Sequence, residues 1–120
     1  MAMHNELGKK GEELAVQYLT EQGLEICERN WRNMHKEIDI IAKDGDELVV
    51  VEVKTRQHVD YGEPDLAVTR QKQLRLIYAA NAYIFSHELD CNTRFDIVSI
   101  VYNDGNPVIE HIKDAFLPHW

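Results

Sequence analysis

Apolar positions recur at helical spacing near the start of the chain. Leu7, Gly11, Leu14, Ala15, Tyr18 and Leu19 form one stripe, which predicts an amphipathic helix over Asn5 to Glu21 with Asn5 as N-cap and Gly23 as stop. Gly8 and Gly11 each weaken a helix by up to about 1 kcal/mol relative to Ala, so their pairing points to a close approach between this turn and another backbone. At about 100° per residue Glu12 falls on the edge of the inward stripe, whereas Glu13 points to water. The period then shortens to two. Leu24 to Arg32 reads as a strand, with Leu24, Ile26 and then Glu28 facing one way and Trp31 at its end, and Asn33 to Lys36 reads as a loop.

β-branched residues dominate Ile38 to Ile41 and Val49 to Val53, and Asp44-Gly45 supplies a tight reversal, which predicts a hairpin over Glu37 to Arg56. Gln57 to Pro64, with Tyr61-Gly62, is polar and reads as a loop that could cover the end of the hairpin. A second helix runs from around Asp65 or Thr69 to Phe85, with an inward stripe of Leu74, Ile77, Tyr78, Asn81, Ile84 and Phe85; Gln73 lies on that stripe and Lys72 points outward. Arg94 to Tyr102 alternates as a strand, and the helical crossover before it makes it parallel to the Glu52 strand. Asn103 to Asn106 turns the chain, Val108 to Ile112 returns as a short edge strand behind Pro107, and Ala115 to Trp120 is a tail offering Phe116, Leu117 and Trp120 for docking or dimer contact. The order α-β-β-β-α-β-β predicts an α/β fold with a mixed central sheet of about five strands flanked by helices.

With 120 residues and 44% hydrophobic content, one domain over residues 1–120 with one core is expected. Cys27 and Cys91 lack metal-ligand spacing, and nothing at the N-terminus resembles a signal peptide, so the expected setting is a reducing cytoplasm without a disulfide. No apolar run reaches the length of a membrane span. A formal charge of −8 argues against clamping long duplex DNA by phosphate neutralisation alone, although Lys9, Lys10, Arg29, Arg32, Arg56, Arg70, Lys72 and Arg75 are available for a local basic patch. His35 and His58 stand alone and read as surface residues.

Charges inside the hairpin strands carry the candidate chemistry. Counting outward from an Asp44-Gly45 turn pairs Asp39 with Val50 and Glu37 with Glu52, so Asp39, Glu52 and Lys54 project from one face. Two carboxylates about 4 Å apart repel by roughly 4 kcal/mol at an effective dielectric of 20, which a hard cation with oxygen ligands converts into attraction. Lys54 would then stand beside the cation.

Asp39 followed by Glu52-Val53-Lys54 at a hairpin end resembles the PD-(D/E)xK core of restriction-endonuclease-like enzymes and Holliday junction resolvases. Gly8-x-x-Gly11-Glu12-x-x-Ala15-x-x-Tyr18-Leu19, Arg29-Asn30-Trp31-Arg32, Glu37-Ile-Asp-Ile-Ile-Ala42, Val51-Glu-Val-Lys-Thr-Arg56 and Arg94-Phe-Asp96 resemble the small bacterial YraN-type family over nearly the whole chain. The resemblance implies a restriction-endonuclease-like fold and a site in which Asp39, Glu52, the main-chain carbonyl of Val53 and Glu12 hold Mg²⁺ or Mn²⁺. Lys54 would orient a water and Gln73 would approach from the second helix. The implied activity is hydrolysis of DNA phosphodiesters, in branched or single-stranded substrates, with RNA as a further candidate. The family places a glycine before the Glu-Ile-Asp segment where this chain has Lys36, a strained choice if positive φ is required there.

Other readings stay open. Glu12 reads equally as a first-turn acid favouring the helix N-terminus, and Gln73 as a structural amide. Lys54 could neutralise Asp39 and Glu52 in a buried ion network. The chain as a whole could be a non-catalytic module of nuclease fold that binds nucleic acid or a protein partner. A homodimer would let two sites address two strands.

Overall fold

The computed structural model describes residues 2–57 and 68–118. Their elements follow the expected order: α1 (Ala2–Glu21), β1 (Glu25–Asn33), β2 (Lys36–Asp44), β3 (Glu47–Gln57), α2 (Arg70–Ser86), β4 (Thr93–Asn103) and β5 (Asn106–Phe116). The five strands form one sheet in sequence order, with β3 and β4 parallel and the other neighbours antiparallel. The parallel pair is where α2 crosses over, because two strands running the same way need a long connection.

Each helix covers one face. Ala15 and Leu19 of α1 pack on Ile40, Val49, Val51 and Val98, while Leu76, Ile77, Ala80 and Tyr83 of α2 pack on Ile41, Leu48, Val50 and Phe95. Helix α1 begins at Ala2, so Asn5 lies inside it rather than at its cap. Its end is as expected: Gly23 takes φ +94 while Gly23 and Leu24 donate to the carbonyls of Thr20 and Leu19. The close approach expected of both early glycines belongs to Gly11 alone. A Cβ there would overlap Thr55 Oγ1 and lie 2.9 Å from Thr55 Cβ, whereas Gly8 has nothing within 4 Å. Gly11 therefore seats α1 against β3 one residue beyond Lys54.

The second helix presents a different face from the one its large apolar residues suggest. Tyr78 is 59% and Phe85 87% exposed, and Asn81 is exposed, while Leu76, Ala79, Ala80 and Tyr83 are buried. Two alanines allow the helix to lie close to the sheet, and a reading weighted toward bulky side chains passes over them. Thr69 is the N-cap, accepting from Lys72 N at 3.2 Å; the alternative start at Asp65 and the expected loop residues His58 and Tyr61-Gly62 lie outside the described residues.

The hairpin turn is Gly45-Asp46, with Asp44 paired to Glu47 and φ +63 at Gly45, so the β2–β3 register is shifted by two residues from the Asp44-Gly45 expectation. A two-residue shift preserves the face of every side chain, so Asp39, Glu52 and Lys54 keep their shared parity. In β1 an irregularity between Ile26 and Glu28 pairs these with Ala42 and Ile41, which lie on opposite faces; Glu28 does not continue the Leu24 and Ile26 face. The left-handed position in the β1–β2 turn is Met34 (φ +58), and Lys36 is not among the positive-φ residues, so the replaced glycine brings no strain there.

The last strand runs to Phe116, longer than the expected Val108 to Ile112. An irregularity opposite Phe95 and Ile97, with Asp114 at φ +55, lets pairing resume at Phe116, whose ring stacks on Phe95 at 4.9 Å. Asp96 fastens that bend, accepting from Asp114 N at 3.0 Å and from His111 Nε2 at 2.7 Å. Phe116 is thus a strand residue, and Trp120 lies outside the described residues.

Candidate active site

The β2–β3 ladder ends at Ile40 opposite Val51. Beyond that pair the strands are no longer in register contact, and the next residues on each side are Asp39 and Glu52. Val53 N, released from backbone pairing with β2, donates to Asp39 Oδ2 at 2.9 Å. A buried strand N–H needs an acceptor, and the carboxylate supplies it, which fixes Asp39 in the fork. An extended residue sends its N–H and C=O off the same side, so the Val53 carbonyl also faces the fork.

Glu52 sits on the α2 side of β3 with its side chain 13% exposed. Its carboxyl is hydrogen-bonded to Asp39, and burial, with Asp39's charge behind it, pushes it from 4.5 up to about 7 despite the opposing effect of Lys72. Lys72 Nζ stands 3.5 Å from Glu52 Oε2. The stripe of bulky residues on α2 sends Lys72 away from the sheet, and the structure brings it in. The inward face of α2 runs through Leu76, and position 72 lies one turn before it, so a wheel centred on the small residues finds this lysine. Lys54 is half-buried two residues beyond Glu52, on the same side of β3.

Glu12 is half-buried at the rim. Burial and the nearby Asp39 raise its carboxyl above the usual range, opposed by Arg29. With its amide nitrogen turned to the acids, Asn30 donates to Glu12 Oε1 at 2.7 Å and to Glu37 Oε1 at 3.3 Å, from a backbone at φ +52. Glu13 points elsewhere, pairing with Arg29 at 2.8 Å. Gln73 Nε2 donates to the Val68 carbonyl at 2.8 Å, which makes this amide a support for the first turn of α2.

The fork therefore brings Asp39, Glu52, the Val53 main chain and Lys72 together, with Lys54 beside them and Glu12 at the edge. Among the described residues no group of three or more His, Cys, Asp or Glu side chains stands ready-made to hold a metal. The donor set nevertheless suits a hard cation: two carboxylates close enough to share a proton, and a carbonyl, all oxygen. Among the described residues, no helix is long and apolar enough to cross a membrane.

The profile of the family described as "Uncharacterised protein family UPF0102" matches residues 11–100. A UPF0102 protein of Bacteroides thetaiotaomicron is 49% identical over 118 residues, covering 98% of each chain. Another from Christiangramia forsetii is 50% identical over 116 residues, 97% of this chain and 98% of the relative. One from Rhodococcus opacus is 48% identical over 118 residues, 97% of this chain and 100% of the relative.

Proposed function

The chain belongs to the UPF0102 family, and we propose that it is a metal-dependent nuclease that hydrolyses DNA phosphodiesters at the β2–β3 fork. The observation that carries the reading is the Asp39–Glu52 pair, two hydrogen-bonded carboxyls in a partly desolvated site whose mutual charge holds Glu52 near 7. Such strain is kept where chemistry needs it, and a structural site would have neutralised it.

On this reading Asp39, Glu52 and the Val53 carbonyl would hold Mg²⁺ or Mn²⁺, with Glu12 reaching in from the rim. The ion would supply Lewis acidity toward a phosphodiester. The protein's own groups do the rest. Val53 N–H holds Asp39 in one orientation, and Lys72 favours the ionised form of Glu52. Lys54 would orient the attacking water and offset charge growing on the phosphoryl group. Gln73 steadies the turn that carries Lys72.

A non-catalytic binding module is the second reading, favoured by the net charge of −8. One experiment separates the two: Mg²⁺ and Mn²⁺ titration by calorimetry, with cleavage of plasmid, single-stranded and branched DNA and of RNA in the same buffers. Wild type is expected to bind and cut, Asp39→Asn and Glu52→Gln to do neither, and Lys54→Met to bind the ion without cutting. A wild type that binds no divalent ion at millimolar concentration and cuts nothing removes the nuclease reading.

A further inference from the structure

The stripe expected to bury α2 faces outward instead. Leu74, Tyr78, Asn81 and Phe85 are spaced four, three and four residues apart, the repeat of a helix-pairing seam with a polar residue inside it. Tyr78 and Phe85 are 59% and 87% exposed, the pattern of a contact surface rather than of scattered single apolar residues. Beside Phe85 lies a groove of about 590 Å³ lined by Asn81, Ile84, Glu88 and Leu89.

We infer that this face is the contact surface of a homodimer in which a second copy lays its α2 antiparallel across the first. The charge pattern selects the occupant. A dyad beside Asn81 brings Tyr78 of each copy opposite Phe85 of the other, at the mouth of the groove. The same register sets Arg75, exposed on the flank, opposite the exposed Glu88, so that one dyad yields two aromatic contacts and two opposite-charge contacts. Asn81 meets its own symmetry mate at the axis, where an amide can both donate and accept.

Glu88 adds a local argument. It occupies the first position after the helix cap at φ +51, with Glu88 N donating to the Phe85 carbonyl and Leu89 N to the Ile84 carbonyl. Glycine is the usual residue in this motif, so an acidic side chain is held there against backbone preference. The dimer is independent of the nuclease reading. It would also place the two Lys72–Glu52 sites roughly 28 Å apart along the paired helices, at about 1.5 Å of rise per residue.

Sedimentation equilibrium of the full chain, from micromolar to submillimolar concentration, tests the inference. Wild type is expected to dimerise, and Phe85→Asp to raise Kd at least about 30-fold, as loss of a central aromatic anchor does. Arg75→Glu and Glu88→Arg should each weaken the dimer several-fold, and the double exchange should restore it. Circular dichroism confirms that each variant folds, which the exposure of these side chains favours. A wild type that stays monomeric, or a dimer indifferent to Phe85→Asp, overturns the inference. A dimer that Phe85→Asp breaks but the double exchange fails to restore overturns the antiparallel register.

Discussion

Replacing Glu52 with glutamine tests the idea that the fork is held under electrostatic load. In the folded chain Glu52 keeps its proton up to about 7, whereas an unstrained glutamate releases it near 4.5. The stability this group contributes is therefore complete below pH 4.5 and is lost as pH rises through about 7. At about 1.36 kcal/mol per pH unit, the interval is worth about 3 kcal/mol. A glutamine side chain has the same shape and no charge, so in Glu52→Gln that slope should vanish. Relative to wild type the variant should gain roughly 3 kcal/mol between pH 4.5 and 8, on the order of 10 °C in melting temperature for a domain of this size. Thermal or urea unfolding in chelator at a series of pH values measures it. Adding millimolar Mg²⁺ at pH 8 should then stabilise wild type and leave the variant unchanged. Parallel pH profiles for the two proteins in chelator would refute the load on Glu52 and with it the main support for a cation site.

Asp39→Asn removes a like charge beside Glu52, and the Glu52 resonance followed by carbon NMR should titrate well below its wild-type midpoint; Lys72→Met should move it upward, since Lys72 lowers it. The two early glycines should diverge. Gly11→Ala must push against Thr55 and is expected to lose about 1–3 kcal/mol in urea unfolding, while Gly8→Ala, with space around it, should gain about 0.5–1 kcal/mol. Asp96→Asn strands the Arg94 guanidinium, whose side chain is 12% exposed, and should lose about 3–5 kcal/mol by the same measurement.

The sequence carried the topology because its signals were local and redundant: a glycine stop, two-residue turns and a crossover helix between apolar strands. It also carried the shared parity of Asp39, Glu52 and Lys54, since the turn shift of two residues leaves side-chain faces unchanged. It did not reveal the face of α2. Apolar residues line two sides of that helix, one for the sheet and one for solvent, and only the small size of Ala79 and Ala80 marks the side that can approach closely. Lys72 is hidden from a sequence reading for the same reason. The length of β5 escaped for a different one, because the bend at Asp114 is held by Asp96, 18 residues earlier, and no local pattern announces it. The placement of Asp39 likewise rests on a long-range bond, its acceptance of the Val53 N–H.

Two acidic constellations with opposite electrical balance show why the fork, rather than the larger network, is the candidate site. On the α1 face, Asp96 is fully buried but receives Arg94 through Nε at 2.8 Å and Nη2 at 3.0 Å, His111 at 2.7 Å and Asp114 N at 3.0 Å. Burial alone would raise its carboxyl, yet the donors prevail and hold it below the usual range. Arg94 also reaches Asp44 at 3.0 Å and Glu47 at 3.2 Å, tying the start of β4 to the base of the hairpin. Every acceptor oxygen of Asp96 is thus met by protein, so this network resists change and locks strands together. At the fork the balance is reversed. Lys72, still 43% exposed, does not cancel burial and Asp39, so Glu52 keeps its carboxyl high. A site left short of positive charge has a standing demand for a cation, and meeting that demand would lower the pKa of Glu52 and stabilise the fold together.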